Sequence, residues 1–218
     1  MDEKQATSNE ARDTAKTATA NTIANVLSMA FGLIAVPIIT RIISTSDVGI
    51  ADTFFVTRNI VAIIVALGTY GFVYRAMLEF KGDRENYLFT ISIFCIISAL
   101  FFFLLSLPFR EGMEELLSLT PFLYFWLLPS IICFSLYSVV SYYCIFTNRY
   151  KLTAAMIIAV GPLSQLLSIA LALILPDDKY IGRVLGLDIT TIVISVAFML
   201  WLVAKGKHKF KIGYVTFT

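Results

Sequence analysis

The stretch NTIANVLSMAFGLIAVPIITRIISTSDVGIADTFFVTRNIVAIIVALGTYGFVYR, residues 21–75, decides how this chain folds. It holds two apolar runs, each long enough to cross a hydrocarbon core of about 30 Å, joined by the turn Ser44-Thr45-Ser46-Asp47-Val48-Gly49. Arg58 lies well inside the second run. An arginine near the middle of a spanning helix costs roughly 2.5 to 3.5 kcal/mol on insertion scales, so it persists where it faces a wet cavity, a counter-charge or an anionic ligand. At about 1.5 Å per residue Arg58 sits roughly 12 Å below the outer end of its helix, too deep to snorkel out easily. The best carboxylate partner in the sequence is Asp188. The functional reading therefore hangs on whether Arg58 meets Asp188 or an anionic ligand.

Outward from this stretch the chain stays apolar. Of its 218 residues 58% are hydrophobic and the mean hydropathy is +0.82, well above the roughly 45–50% apolar content of a soluble domain. The expected fold is an all-α membrane protein, a lobe of six transmembrane helices at about 21–43, 50–73, 87–107, 119–146, 152–175 and 180–203. Residues 1–20 read as a polar cytoplasmic tail or frayed helix with no signal-peptide pattern, and 205–218 as a basic tail or linker to a second lobe. With the N-terminus inside, twelve Lys and Arg fall on cytoplasmic segments, against Arg41, Arg110, Lys179 and Arg183 outside. That asymmetry places both termini in the cytoplasm.

Within the spans, Asn21, Asn25, Ser28, Gly32 and Ala35 make one small, polar face on the first helix, suited to close packing or to lining a cavity. Pro37 bends its outer third and Arg41 reaches the interface. On the second, Asp52 and Asn59 share a face beside Arg58, and Gly68 and Gly71 thin the inner end. Residues 108–117 read as a charged loop. Pro129 is expected to kink the fourth span, and Tyr124 and Trp126 suit its outer interface. Gly161-Pro162 marks a bend in the fifth, and Gly182 and Gly186 form a G-x-x-x-G pair beside Arg183 and Asp188 in the sixth.

Cys95, Cys133 and Cys144 lie in apolar runs without C-x-x-C spacing, and His208 is the only histidine, so neither a disulfide framework nor a zinc site is indicated. No nucleophile–base set or glycine-rich phosphate loop is present. No enzymatic activity and no cofactor are expected, and a net charge of +2 spread over short loops gives no nucleic-acid surface.

The first span ends Val36-Pro37-Ile38-Ile39-Thr40-Arg41-Ile42-Ile43 and is followed by Ser46-Asp47-Val48-Gly49. Leu67-Gly68-Thr69-Tyr70-Gly71 and Tyr74-Arg75 close the second, and Asn148-Arg149-Tyr150-Lys151 opens the fifth. In these patterns the chain resembles the N-terminal half of the polysaccharide transporters, the O-antigen or repeat-unit flippases of the multidrug/oligosaccharidyl-lipid/polysaccharide exporter superfamily. The resemblance implies a multi-pass carrier of the bacterial inner membrane that moves polyprenyl-diphosphate-linked oligosaccharide to the outer leaflet by alternating access. It implies Arg58 as the diphosphate contact, with Asn25, Asn59, Asp52 and Arg41 along the cleft; Asp188 and Arg183, from the residues themselves, are candidates for ion pairing or coupling. Implied partners are membrane lipids, polysaccharide polymerase or other biosynthesis proteins, and a second six-helix lobe or self-association. The first span departs from the lipid II flippases in having no buried arginine, and from some multidrug antiporters in having no carboxylate between Asn21 and Thr40. Two other readings stand beside it: an ion-coupled exporter of amphipathic cations, and a structural membrane module scaffolding a polysaccharide synthase.

Overall fold

A computed structural model of the chain describes residues 2–66, 68–80, 82–175, 177–205 and 212–215. All the regular structure among them is helical: α1 (Asp2–Ile42), α2 (Thr45–Val65), a 3₁₀ turn and α3 (Val73–Glu79), α4 (Arg84–Ser106), α5 (Arg110–Leu116), α6 (Pro121–Phe146), α7 (Tyr150–Ile158), a π turn (Ala159–Leu163), α8 (Ser164–Ile174), α9 (Lys179–Ala204) and α10 (Ile212–Val215). Six helical segments are long and apolar enough to cross a membrane: Thr14–Ile42, Thr45–Val65, Arg84–Leu116, Pro121–Phe146, Tyr150–Ile174 and Lys179–Ala204.

Local chemistry sets the boundaries. Ser44 caps α2, its hydroxyl accepting from the Asp47 amide at 3.1 Å and donating to the Asp47 carboxylate at 2.8 Å. The second span is shorter than expected, ending at Val65 rather than near residue 73. Gly68, at φ +69°, supplies the left-handed residue that stops the helix, and its N–H bonds back to the Ile63 carbonyl at 3.3 Å. From α4, Ser98 donates to the freed Val65 carbonyl at 2.6 Å. Leu67, within the quoted motif at this end, lies outside the described residues.

The polar segment at the N-terminus is helical from Asp2 into α1. The loop expected at 108–117 is instead a 3₁₀ turn followed by α5, with Arg110 bonded to Glu114 at 2.5 Å. Pro37 and Pro129 sit inside continuous helices. At Gly161-Pro162 the helix widens into the π turn, whose larger ring accommodates the missing proline N–H. Of the basic tail, Lys207, His208, Lys209 and Lys211 lie outside the described residues. Beyond them Tyr214 is buried against Phe80 and Tyr87 and donates to Asp83, so the chain returns to pack on α4.

Two apolar clusters fill the middle. One, at the end of the bundle holding α3 and α10, joins α4, α6 and α9 through Tyr87, Ile91, Val139, Phe198 and Leu202, and the other joins α2, α4, α6 and α9 through Phe54, Ala62, Ala99, Leu123 and Val184. Among the described residues the most extensive helix contact is between α8 and α9. A Cβ on Gly186 would lie 2.3 Å from the Ser168 Cα, and one on Gly182 would lie 2.7 Å from the Leu171 backbone. The G-x-x-x-G pair is thus spent inside the lobe, where its missing side chains let two backbones touch. α1 packs chiefly on α7, the π turn and α8, and Gly161 gives room to Ser28.

Candidate functional site

The site is built where α2 meets α9. Arg58 Nη1 donates to Asp188 Oδ1 at 2.7 Å, with both side chains largely buried, at 11% and 2% exposure. Its Nε and Nη2 both donate to Asn59 Oδ1, at 3.2 and 3.1 Å. The guanidinium carbon lies 4.8 Å from the Phe55 ring centre and 4.6 Å from that of Phe134, so two aromatic faces replace part of the lost hydration. The second Asp188 oxygen accepts from the Trp126 indole N–H at 3.0 Å. Each charge is therefore met by its counter-charge and by at least one neutral hydrogen-bonding group, the condition under which ions persist away from water.

A second pair lies about one and a half turns toward the helix starts. Arg183 Nη2 on α9 donates to Asp52 Oδ1 on α2 at 2.9 Å. The cation is on α2 in one pair and on α9 in the other, so the two parallel helices are clasped by charges in opposite order. Asp52 is 57% exposed, whereas Arg183 is buried and its Nε and Nη1 have no protein acceptor among the described residues. Nearby, Lys179 Nζ donates to the Ile42 carbonyl at 2.9 Å and ties the start of α9 to the end of α1.

Arg58 borders a cavity of about 190 Å³ between α2, α6, α9 and the fifth span, lined also by Tyr137, Ser164 and Thr191. Such a space holds several waters or one small polar group.

Of the residues singled out from the sequence, Arg58, Asn59, Asp52, Asp188 and Arg183 come together. Asn25 and Arg41 do not: both are exposed on α1, which packs on the fifth span rather than on the clasped pair. Trp126, expected at the interface, instead bonds to the buried carboxylate. The Asp52–Arg183 contact was also missed. Its signal was legible, since Asp and Arg six apart on one helix face Arg and Asp five apart on another.

No family model matches the chain, and no curated protein or solved structure is significantly similar to it. Fold and site together define a multi-pass α-helical membrane protein with charges paired inside its helix bundle. No particular family is shown for it.

Proposed function

We propose that this chain is a lobe of a membrane transporter that moves polyprenyl-diphosphate-linked oligosaccharide from the cytoplasmic to the outer leaflet, with both termini cytoplasmic. The observation that carries the reading is the state of the two arginines. Arg183 has two buried N–H donors that no acceptor among the described residues meets, and Arg58 turns two donors onto the single oxygen of Asn59. An anion with several oxygens satisfies both better than the protein does. A phosphate would take the Nε–Nη2 edge of Arg58 in a bidentate contact, while exposed Asn59 swings aside at small cost. Asp188 would keep Arg58 aimed during the exchange.

The test is translocation of a fluorescent polyprenyl-diphosphate oligosaccharide by the full chain in proteoliposomes, read by its exposure to an impermeant glycosidase. Arg58→Ala is expected to abolish movement while the protein still inserts, and Asn59→Ala to keep most of it. Normal movement by Arg58→Ala would end the assignment of Arg58. The cation-exporter reading draws on one observation, the membrane-buried carboxylate of Asp188. Export of amphipathic cations lost in Asp188→Asn, with no movement of the lipid-linked sugar, would favour it instead.

A further inference from the structure

At the other end of the lobe from the ion pairs, α6, α7 and α9 leave a groove of about 250 Å³. Its walls are Val140, Met156, Ile194, Ala197 and Phe198, with Trp201 and Arg149 at the end where these helices reach the α6–α7 turn. The turn holds Asn148 at φ +53°, a left-handed position asparagine tolerates, and this presents Arg149 to the outside. The Arg149 guanidinium lies 5.4 Å from the Tyr143 ring centre, and among the described residues no carboxylate pairs with it. Exposed Lys151 stands two residues on, and Lys205 lies over the Trp201 ring at 5.3 Å.

We propose that this groove binds one acyl chain of an anionic phospholipid, with the headgroup phosphate held by Arg149 and Lys151. The apolar walls accept a hydrocarbon chain, but a chain leaving the bilayer for the groove moves between two equally apolar surroundings. Discrimination between lipids must come from the charged end. Trp201 and Tyr143 are residue types that anchor at headgroup depth, which sets the groove's open end level with phosphates. Arg149 and Lys151, which have no carboxylate partner among the described residues, favour a headgroup that carries no ammonium of its own over one that does. This site is separate from Arg58 and stands or falls independently of the transport reading.

The test is native mass spectrometry of the full chain released from vesicles of phosphatidylglycerol and phosphatidylcholine with matched acyl chains. Two basic side chains at the surface predict roughly thirtyfold preferential retention of phosphatidylglycerol. The Arg149→Gln/Lys151→Gln variant should bring it down to the phosphatidylcholine level. Ala197→Trp, which places an indole in the groove from an exposed position, should lower both lipids. Equal retention of the two lipids by the unaltered chain would overturn the proposal, as would retention that neither variant changes. Displacement by soluble glycerol phosphate would assign the cations to a free-anion site and overturn the acyl-chain contact. A lipid-free dimer that Ala197→Trp dissolves would give the groove to a second copy and refute it as well.

Discussion

Removing Asp188 should destabilise the protein far more than removing the whole ion pair. In Asp188→Asn the Arg58 side chain, 11% exposed, keeps its charge and loses its counter-ion. Stranding one member of a buried pair costs about 3–5 kcal/mol. The reverse change, Arg58→Leu, is milder, because a guanidinium stays charged whereas a stranded carboxylic acid can take up a proton. Replacing both by apolar residues of similar volume typically ranges from neutral to about 1–4 kcal/mol stabilising. Here the Trp126 N–H would lose its acceptor, a penalty of about 1–3 kcal/mol for a buried donor. The two contributions nearly cancel, so Arg58→Leu/Asp188→Leu should unfold within about 2 kcal/mol of the unaltered protein. Reversible unfolding in mixed micelles, followed by tryptophan fluorescence, measures all three variants. The reasoning fails if the double variant is as unstable as Asp188→Asn, or if Asp188→Asn costs less than about 1 kcal/mol, the range of a solvated pair. The double variant also separates folding from function, since it should fold and yet not transport.

Three further outcomes are expected. Gly186→Ala sets a Cβ 2.3 Å from the Ser168 backbone and should cost at least the roughly 1–3 kcal/mol of an overpacked core. Gly68→Ala meets nothing within 4 Å and should cost only the roughly 1–2 kcal/mol of a left-handed residue; micelle unfolding ranks the two, and a reversed order would refute the packing account. Cysteines placed at Ser118 and Lys151 should react with an impermeant maleimide from opposite sides of sealed vesicles, and labelling of both from one side would refute the six-span order. Asp52→Cys/Arg183→Cys should be crosslinked in high yield by a short bismaleimide, and failure to crosslink would refute the contact of α2 with α9 at this level.

How far the sequence carried depended on the range of the interaction involved. Hydropathy is a local sum, so the six spans were legible, whereas proline alone was a poor guide, since Pro162 falls in the π turn but Pro37 and Pro129 lie inside helices that run through them. The end of α2 was misjudged because apolar residues run on to Val73, while the stop comes from the φ of Gly68, and glycine tolerates either sign of φ. At the site, burial of Arg58 required a partner, and Asp188 was the available carboxylate. The Trp126 contact was not legible, because an indole at a helix end satisfies the rules for an interfacial anchor equally well. Asn25 and Arg41 failed to join the site because helix periodicity says which residues share a face, not which helix that face meets. α1 turned out to face the fifth span.

The reversed order of the two ion pairs limits how the lobe can move. Along α2, Asp52 and Arg58 are separated by about 9 Å of helix rise, and along α9, Arg183 and Asp188 by about 7.5 Å. Sliding α9 by one turn, about 5.4 Å, breaks both pairs. Sliding it by about 8 Å in one direction brings Arg183 level with Arg58, and in the other brings Asp188 level with Asp52. Like charges then face each other in a medium that screens them poorly. The register of α2 on α9 is therefore protected on both sides by repulsion as well as by the loss of attraction. α9 is in turn held to α8 by the backbone contact at Gly182 and Gly186, and to α1 by the Lys179–Ile42 bond. Every helix carrying a site charge belongs to one clasped body. On the proposed transport reading, movement would have to carry this clasped body as a unit, with the exposed side chain of Asn59 as the part of the site placed to yield to a ligand.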